Sequence, residues 1–407
     1  MKEMDRKYGS ELFCFYAKRY IVCHSGYKKL RLPMKRKIIT SLFLVVVCNL
    51  VLANADISAQ SINPKEPIKI GAILHLTGDQ AMQGAAFRDG IALAEHEINA
   101  QGGIVGHELK VIYEDSQLKP VVAHSAAKRL ISVEKVVGAI DASFLEVMAN
   151  GAEFERAKIP VITLWDSSPA IEALGDYVFG IGVWTPSAGE EAARFSKRVF
   201  NARSAVVVSM TNEWSEAVAK YFVEEFKRGG GRIIDQVSLM PETSDFKSIL
   251  SRLNRNKPDV LYAVVTDNVI AFYSQLRQVA PELPIITSDI VNEAHLAERP
   301  EIFKYLFQTQ AADPNSDAAV KFSEAFKVFH GAAPSQVLLS AWGYDAVMLF
   351  KKAIEQGGVS PTQIKDKLYS MPVYSGASGS IKFTKEGSSP QLERVFKVKG
   401  NRFELAQ

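Results

Sequence analysis

From residue 66 onward the chain alternates short apolar runs with longer stretches in which apolar positions recur every three or four residues. Ile68–Leu74 is apolar apart from Lys69 and predicts a strand. Phe87, Ile91, Ala94 and Ile98 then space out a helix over Gly84–Asn99, which Gln101-Gly102-Gly103 closes. The same alternation predicts strands at Leu109–Tyr113, Val136–Ile140 and Val161–Trp165, with helices at Val121–Ser132 and Leu145–Ala157 between them. A second series follows. Helices at Ala188–Phe200, Ser215–Arg228, Phe246–Asn254 and Val269–Val279 alternate with strands at Ala205–Met210, Ile233–Leu239, Val260–Val265 and Ile285–Thr287. Three more helical segments, Ser316–Phe329, Ser335–Glu355 and Pro361–Tyr369, precede Ser380–Phe383 and Arg394–Lys399, which read as a closing strand pair.

Two successive βα series with short apolar strands predict an α/β protein. It has two Rossmann-like lobes, each a parallel sheet covered by helices on both faces. No low-complexity tether separates the series, so the lobes are expected to be joined by a hinge of several crossings. These are placed near Gly180–Pro186, Gln308–Pro314 and after Tyr374. On this reading residues 66–183 and 311–376 form lobe I, and residues 184–310 and 377–407 form lobe II.

The first 55 residues follow a different pattern and are read as an N-terminal extension and signal peptide. Met34-Lys35-Arg36-Lys37 opens a basic segment, residues 38–52 are almost wholly apolar, and Ala53-Asn54-Ala55 supplies small residues. That is the order of a secretory signal, with Met34 as the expected start and cleavage expected after Ala55. The apolar run of about 15 residues is short for a membrane span of about 20. Export to the periplasm is the expectation.

Charge and cysteines sharpen this picture. Residues 1–55 hold 11 of the 48 Lys/Arg and 3 of the 45 Asp/Glu, so the rest of the chain carries 37 basic and 42 acidic residues, a net of −5. A mildly acidic body argues against nucleic acid as a partner. Cys14, Cys23 and Cys48 all precede residue 56, which leaves the body with no thiol for a disulfide, metal or nucleophile. There is no dinucleotide Gly-x-Gly-x-x-Gly after the first strand, no Walker loop and no Gly-x-Ser-x-Gly elbow. The body's histidines form no His-Glu-x-x-His pair; His75, at a strand end, is the one that could line a cleft. The chain is therefore read as a binding protein and not an enzyme, with no cofactor and no metal.

Ligands of open parallel sheets sit at the carboxyl ends of strands, so the loops there carry the candidates. Asp141 and Ser143 follow one strand; a hydroxyl and the amides of the next helix could take a ligand's polar groups, though both residue types also cap helices. Trp165, Asp166 and Ser167 follow the next, with Ser168 as the expected cap before Pro169. In the second series Trp214, Thr266, Asp267 and Asp289 occupy equivalent places. Buried carboxylates cost several kcal/mol unless paired, so strand-end acids in two facing lobes suit a ligand rich in N–H donors.

Several stretches carry a resemblance. They are Ile68-Lys69-Ile70-Gly71 with Leu76-Thr77-Gly78, Ile98-Asn99-Ala100-Gln101-Gly102-Gly103-Ile104-Val105-Gly106, Tyr113-Glu114-Asp115, Ile159-Pro160-Val161-Ile162-Thr163 and Gly343-Tyr344-Asp345-Ala346. Over nearly all of residues 66–400 the body resembles the periplasmic leucine/isoleucine/valine-binding protein family, type I solute-binding proteins of ABC importers. The resemblance implies a monomeric, extracytoplasmic protein that closes about a hinge on a small molecule and presents it to membrane permease subunits. It places Gln83, Ser143, Trp165 and Ser167 in the first lobe's part of the site, Trp214 as the aromatic cover and Asp289 at the ammonium. Thr266 sits where a ring-bearing residue is common. A ligand-sensing, receptor-like protein of the same fold is the alternative. Asp141 and Asp166 stand where that family usually has neutral residues beside a ligand carboxylate, and Trp165 replaces a small residue. The expected ligand is accordingly an amine, an amide, a urea-like or another carboxylate-poor solute.

Overall fold

The computed structural model describes residues 66–406, apart from 79, 391 and 392 and the side chains of Asn254 and Asn256. The expected signal segment and all three cysteines lie outside the described residues.

Strand Ile68–Leu74 runs parallel between Leu109–Asp115 and Gly138–Asp141, and Val161–Thr163 and Val178–Gly180 extend that sheet to five parallel strands. The second sheet runs Arg232–Leu239, Ser204–Met210, Val260–Val264, Ile285–Ser288 and Leu306–Gln310 in spatial order, all parallel. Arg394–Lys399 and Arg402–Leu405 complete it antiparallel. The strands read as apolar runs because both faces are covered; Val260–Val264 is buried at every position. The two-lobed α/β architecture read from the alternation is the one observed.

The long helices Ala81–Ala100 and Val337–Gly357 cross at two glycines. A methyl group on Gly90 would lie 1.8 Å from the Ser340 carbonyl oxygen, and one on Gly343 would lie 2.4 Å from that of Phe87. Backbone therefore meets backbone, which fastens residues 337–357 to the first lobe. Phe87, Phe179 and Trp342 are buried in the same core, each worth roughly 2–3 kcal/mol of apolar burial. That core continues through Ile181, Val183 and Ala188 into Val207 and Tyr262, so apolar packing runs unbroken from one lobe to the other.

Three local expectations change. Ser380–Phe383 does not pair with Arg394–Lys399. Gly379–Ile381 instead forms a hairpin with Tyr374–Gly376, and Arg394–Lys399 lies between Leu306–Gln310 and Arg402–Leu405. The strand Leu306–Gln310 falls where a crossing was expected. Its polarity hid it: Gln308 is fully buried, with Oε1 accepting from the amides of Ile290 (3.0 Å) and Val291 (2.7 Å). Finally, residues 377–389, expected in lobe II, remain on the first sheet. The Gly180 amide donates to Gly387 O at 3.0 Å, the Ser389 amide donates to Gly180 O at 2.9 Å, and Phe383 packs on Phe179. The final passage to the second sheet falls after residue 389. Among the described residues no helix is long and apolar enough to cross a membrane.

Candidate functional site

The loops at the carboxyl ends of the strands bring the two lobes into direct contact. Trp165 follows Val161–Thr163 in the first lobe, and Asp289 follows Ile285–Ser288 in the second. The indole Nε1 of Trp165 donates to Asp289 Oδ2 at 3.1 Å. Both residues hold left-handed backbone, with φ of 66° and 40°. Non-glycine residues adopt that region at a cost of roughly 1–2 kcal/mol each, and such strain gathers where structure serves function. Local bonds enforce it. The Asp166 amide donates to Leu164 O (2.6 Å), and the Val183 amide donates to Trp165 O (2.7 Å). Gly182, at φ 112°, lies so close that a methyl group there would be 2.4 Å from Trp165 O. A second contact joins the lobes where Asn292 Nδ2 donates to Gln336 Oε1 at 3.3 Å.

Asp166 turns toward the first helix of the site. Its Oδ2 accepts from the amide of Phe144, the first residue of helix Phe144–Ala157, at 3.1 Å. Ser143 caps the same helix by accepting from the Glu146 amide. The helix end, which attracts negative charge, is thus satisfied by the protein's own groups.

Asp289 is within electrostatic reach of three further carboxyl groups, those of Asp166, Glu293 and Glu393. Burial pushes Asp166 up to about 7, against the pull of the Phe144 amide. Burial also pushes Asp289 up to about 7; the Trp165 N–H opposes this, and the charges of Asp166 and Glu293 add to it. Burial raises Glu393 well above the carboxylate range, the Asp289 charge adds to it, and the Trp184 amide opposes both. Glu293 is raised by burial as well. Among the described residues no basic side chain opposes these four shifts. Neither oxygen of Glu393 has a well-aligned hydrogen-bond partner among the described residues.

Of the other expected residues, Ser167 is fully buried and its Oγ has no partner among the described residues. The Gln83 Oε1 and Trp214 Nε1 atoms are likewise buried and unpartnered there. Trp214, at the start of helix Glu213–Arg228, is half-buried. Thr266 Oγ1 accepts from Asn212 Nδ2 at 3.4 Å and donates to Asp267 Oδ2 at 2.9 Å, so these two are bonded within the second lobe's own loops.

Asp141 has both carboxyl oxygens buried without a partner among the described residues. It has no exposed surface and lies inside the first lobe beside Asn150 and Glu146; burial, then the Glu146 charge, raises it well above its ordinary value. Beneath the cleft, Glu146 accepts from Ser143 Oγ (2.9 Å) and from Ser116 Oγ, and it approaches His75 Nδ1 at 3.4 Å. The composition is that of a hydrolase triad, but the wiring is not. Both hydroxyls end on the carboxylate and neither on the imidazole, and His75, Ser116 and Glu146 have no exposed surface. His75 does not line the cleft. Glu146, Glu293 and Glu393 escaped the sequence reading because helix-borne or pre-strand glutamates look like surface residues. The strand-end rule could have found only Glu293.

Proteins of the same build are known. The isoleucine complex of the branched-chain amino acid transporter substrate-binding protein LivJ from Streptococcus pneumoniae superposes with a TM-score of 0.76 at 22% identity, covering 84% of this chain and 99% of that one. A solute-binding protein of an ABC transporter from R. palustris, in complex with benzoate, gives 0.74 at 17% identity, covering 84% and 95%. At these identities the likeness is one of fold. The Leu/Ile/Val-binding protein of Escherichia coli (strain K12) is 22% identical over 200 residues, which is 48% of this chain and only 54% of that protein's length. A model of the periplasmic binding protein family matches residues 67–399, and the chain belongs to that family.

Proposed function

We propose that the protein is the extracytoplasmic, monomeric solute-binding subunit of an ABC importer. On this reading it captures a small polar organic molecule, an amine or amide, between its lobes and hands it unaltered to membrane permease subunits. The observation that carries the reading is the hydrogen bond of Trp165 to Asp289 across the lobes, within the electrostatic reach of Asp166 from one lobe and Glu293 from the other. A guest that touches both lobes binds the closed arrangement better than the open one, and so shifts the population toward closure. The relatives' names support the same role: one structure holds isoleucine and another benzoate. The wiring of His75, Glu146, Ser116 and Ser143 supports a guest that leaves unchanged.

The test is a melting-temperature screen of the purified protein against amines, amides, amino acids and aromatic acids, with mass spectrometry of any molecule released on denaturation. A bound ligand stabilises the folded state by RT ln(1 + [L]/Kd). The expected result is a concentration-dependent rise with at least one such solute, accompanied by compaction in small-angle scattering. Turnover of the solute, or stabilisation without compaction, contradicts the reading.

A further inference from the structure

We propose that the guest is an organic cation without a carboxylate, its N–H groups taken by Asp289 and Glu393 on one side and Asp166 on the other. This rests on the reading of the protein as a solute-binding subunit and narrows it to one chemical class.

Three observations point the same way. First, the carboxyl groups share one neighbourhood: Asp166 acts on Asp289, and Asp289 acts on Glu393. No basic group among the described residues acts on them, so the unliganded cleft holds excess negative charge or retained protons. An incoming cation removes that penalty, whereas an incoming anion adds to it. Second, two amides of the helix end that would welcome a ligand's carboxylate are already taken. Asp166 takes the Phe144 amide and Ser143 takes that of Glu146. A guest carboxylate on the Phe144 amide would have to displace Asp166. Third, both carboxyl oxygens of Glu393 are buried without a partner among the described residues. Groups so deeply buried are normally satisfied, and a donor-rich guest satisfies them. Asp289 already takes a nitrogen donor from the opposite lobe, the Trp165 indole.

The experiment is calorimetric titration of the purified protein with matched pairs that differ in the carboxylate. They are 3-methylbutylamine against leucine, phenethylamine against phenylalanine, and benzylamine against benzoate. In at least one pair the amine should bind about tenfold more tightly than its partner, a difference of about 1.4 kcal/mol. Its affinity should rise from about pH 6 to about pH 8, as groups near 7 lose the protons that compete with it. Asp289→Asn should lower that affinity about tenfold while the melting temperature is held. Tighter binding of the carboxylate-bearing member in every pair overturns the inference. If leucine or benzoate then still compacts the protein, the solute-binding reading survives. An amine affinity that Asp289→Asn leaves unchanged, or no amine binding at millimolar concentration, also overturns the inference. The solute-binding reading falls separately, if the broader solute screen finds no ligand at all.

Discussion

Burial raises both Asp345 and Asp289, yet Asp345, with no exposed surface, is surrounded by donors, and Asp289, half-buried, is nearly bare. Asp345, on helix Val337–Gly357, accepts from the amides of Ala377 (2.8 Å) and Ser378 (2.7 Å), from Ser378 Oγ (2.5 Å) and from Tyr374 OH (3.4 Å). Those four bonds pin the hairpin at residues 374–381 to the first lobe, and they hold against burial, which lifts Asp345 to about 6. Asp289 accepts from the Trp165 indole, and its charged neighbours are further acids. A buried carboxylate with a full set of donors holds structure in place. One without them is a cost to the folded chain that a guest can relieve.

The largest effect should come from Asp345→Ala, which leaves the two amides and two hydroxyls without their acceptor. Urea unfolding is expected to show a loss of about 3 kcal/mol or more; a loss below about 1 kcal/mol would remove the contrast between the two acids. Trp214→Ala should cost about 1–2 kcal/mol of stability, because the half-buried indole packs on the core, and weaken ligand binding by about 2 kcal/mol, as for a central aromatic anchor. Unchanged affinity on calorimetry would take Trp214 out of the site. Ser143→Ala should cost about 1 kcal/mol of stability, the usual worth of an N-cap, with affinity unchanged. A large loss of affinity would mean that the hydroxyl serves the guest as well as the helix.

The pH dependence of the unliganded protein should give the smallest signal. Asp166 and Asp289 are raised to about 7, above their unfolded values, so the folded state binds more protons between about pH 4 and about pH 7. Stability is then fully present below that window and falls as pH rises through it. The double variant Asp166→Asn, Asp289→Asn should flatten the melting temperature over this range. An equal slope in wild type and variant would place the titrating groups elsewhere.

Much of the architecture could be read directly from hydrophobic spacing, because parallel strands buried on both faces are apolar throughout. The exceptions carried polar work. Leu306–Gln310 hides a strand because Gln308 is spent on fastening the Ile290 and Val291 amides. The hairpin at 374–381 depends on Asp345, far back along the chain, which no local pattern reveals. Strand-end position singled out Trp165 and Asp289, which meet across the lobes, Asp166, which turns to a helix end, and Asp141, which lies beside Asn150 and Glu146. Position along a strand fixes where a side chain starts, and its neighbours decide where it goes. Glu393 was missed for the converse reason: its burial comes from the return of the chain to the second sheet. The left-handed backbone of Trp165 has no signature in residue type, whereas aspartate at Asp289 is one of the few side chains that visit that region readily.

The most direct test is a crystal structure with the tightest ligand found in the screen. A guest between the lobes is expected, with a nitrogen within hydrogen-bonding distance of Asp289 and no carboxylate on the Phe144 amide. A guest bound outside the cleft, or one whose carboxylate has displaced Asp166 from that helix end, would contradict the assignment.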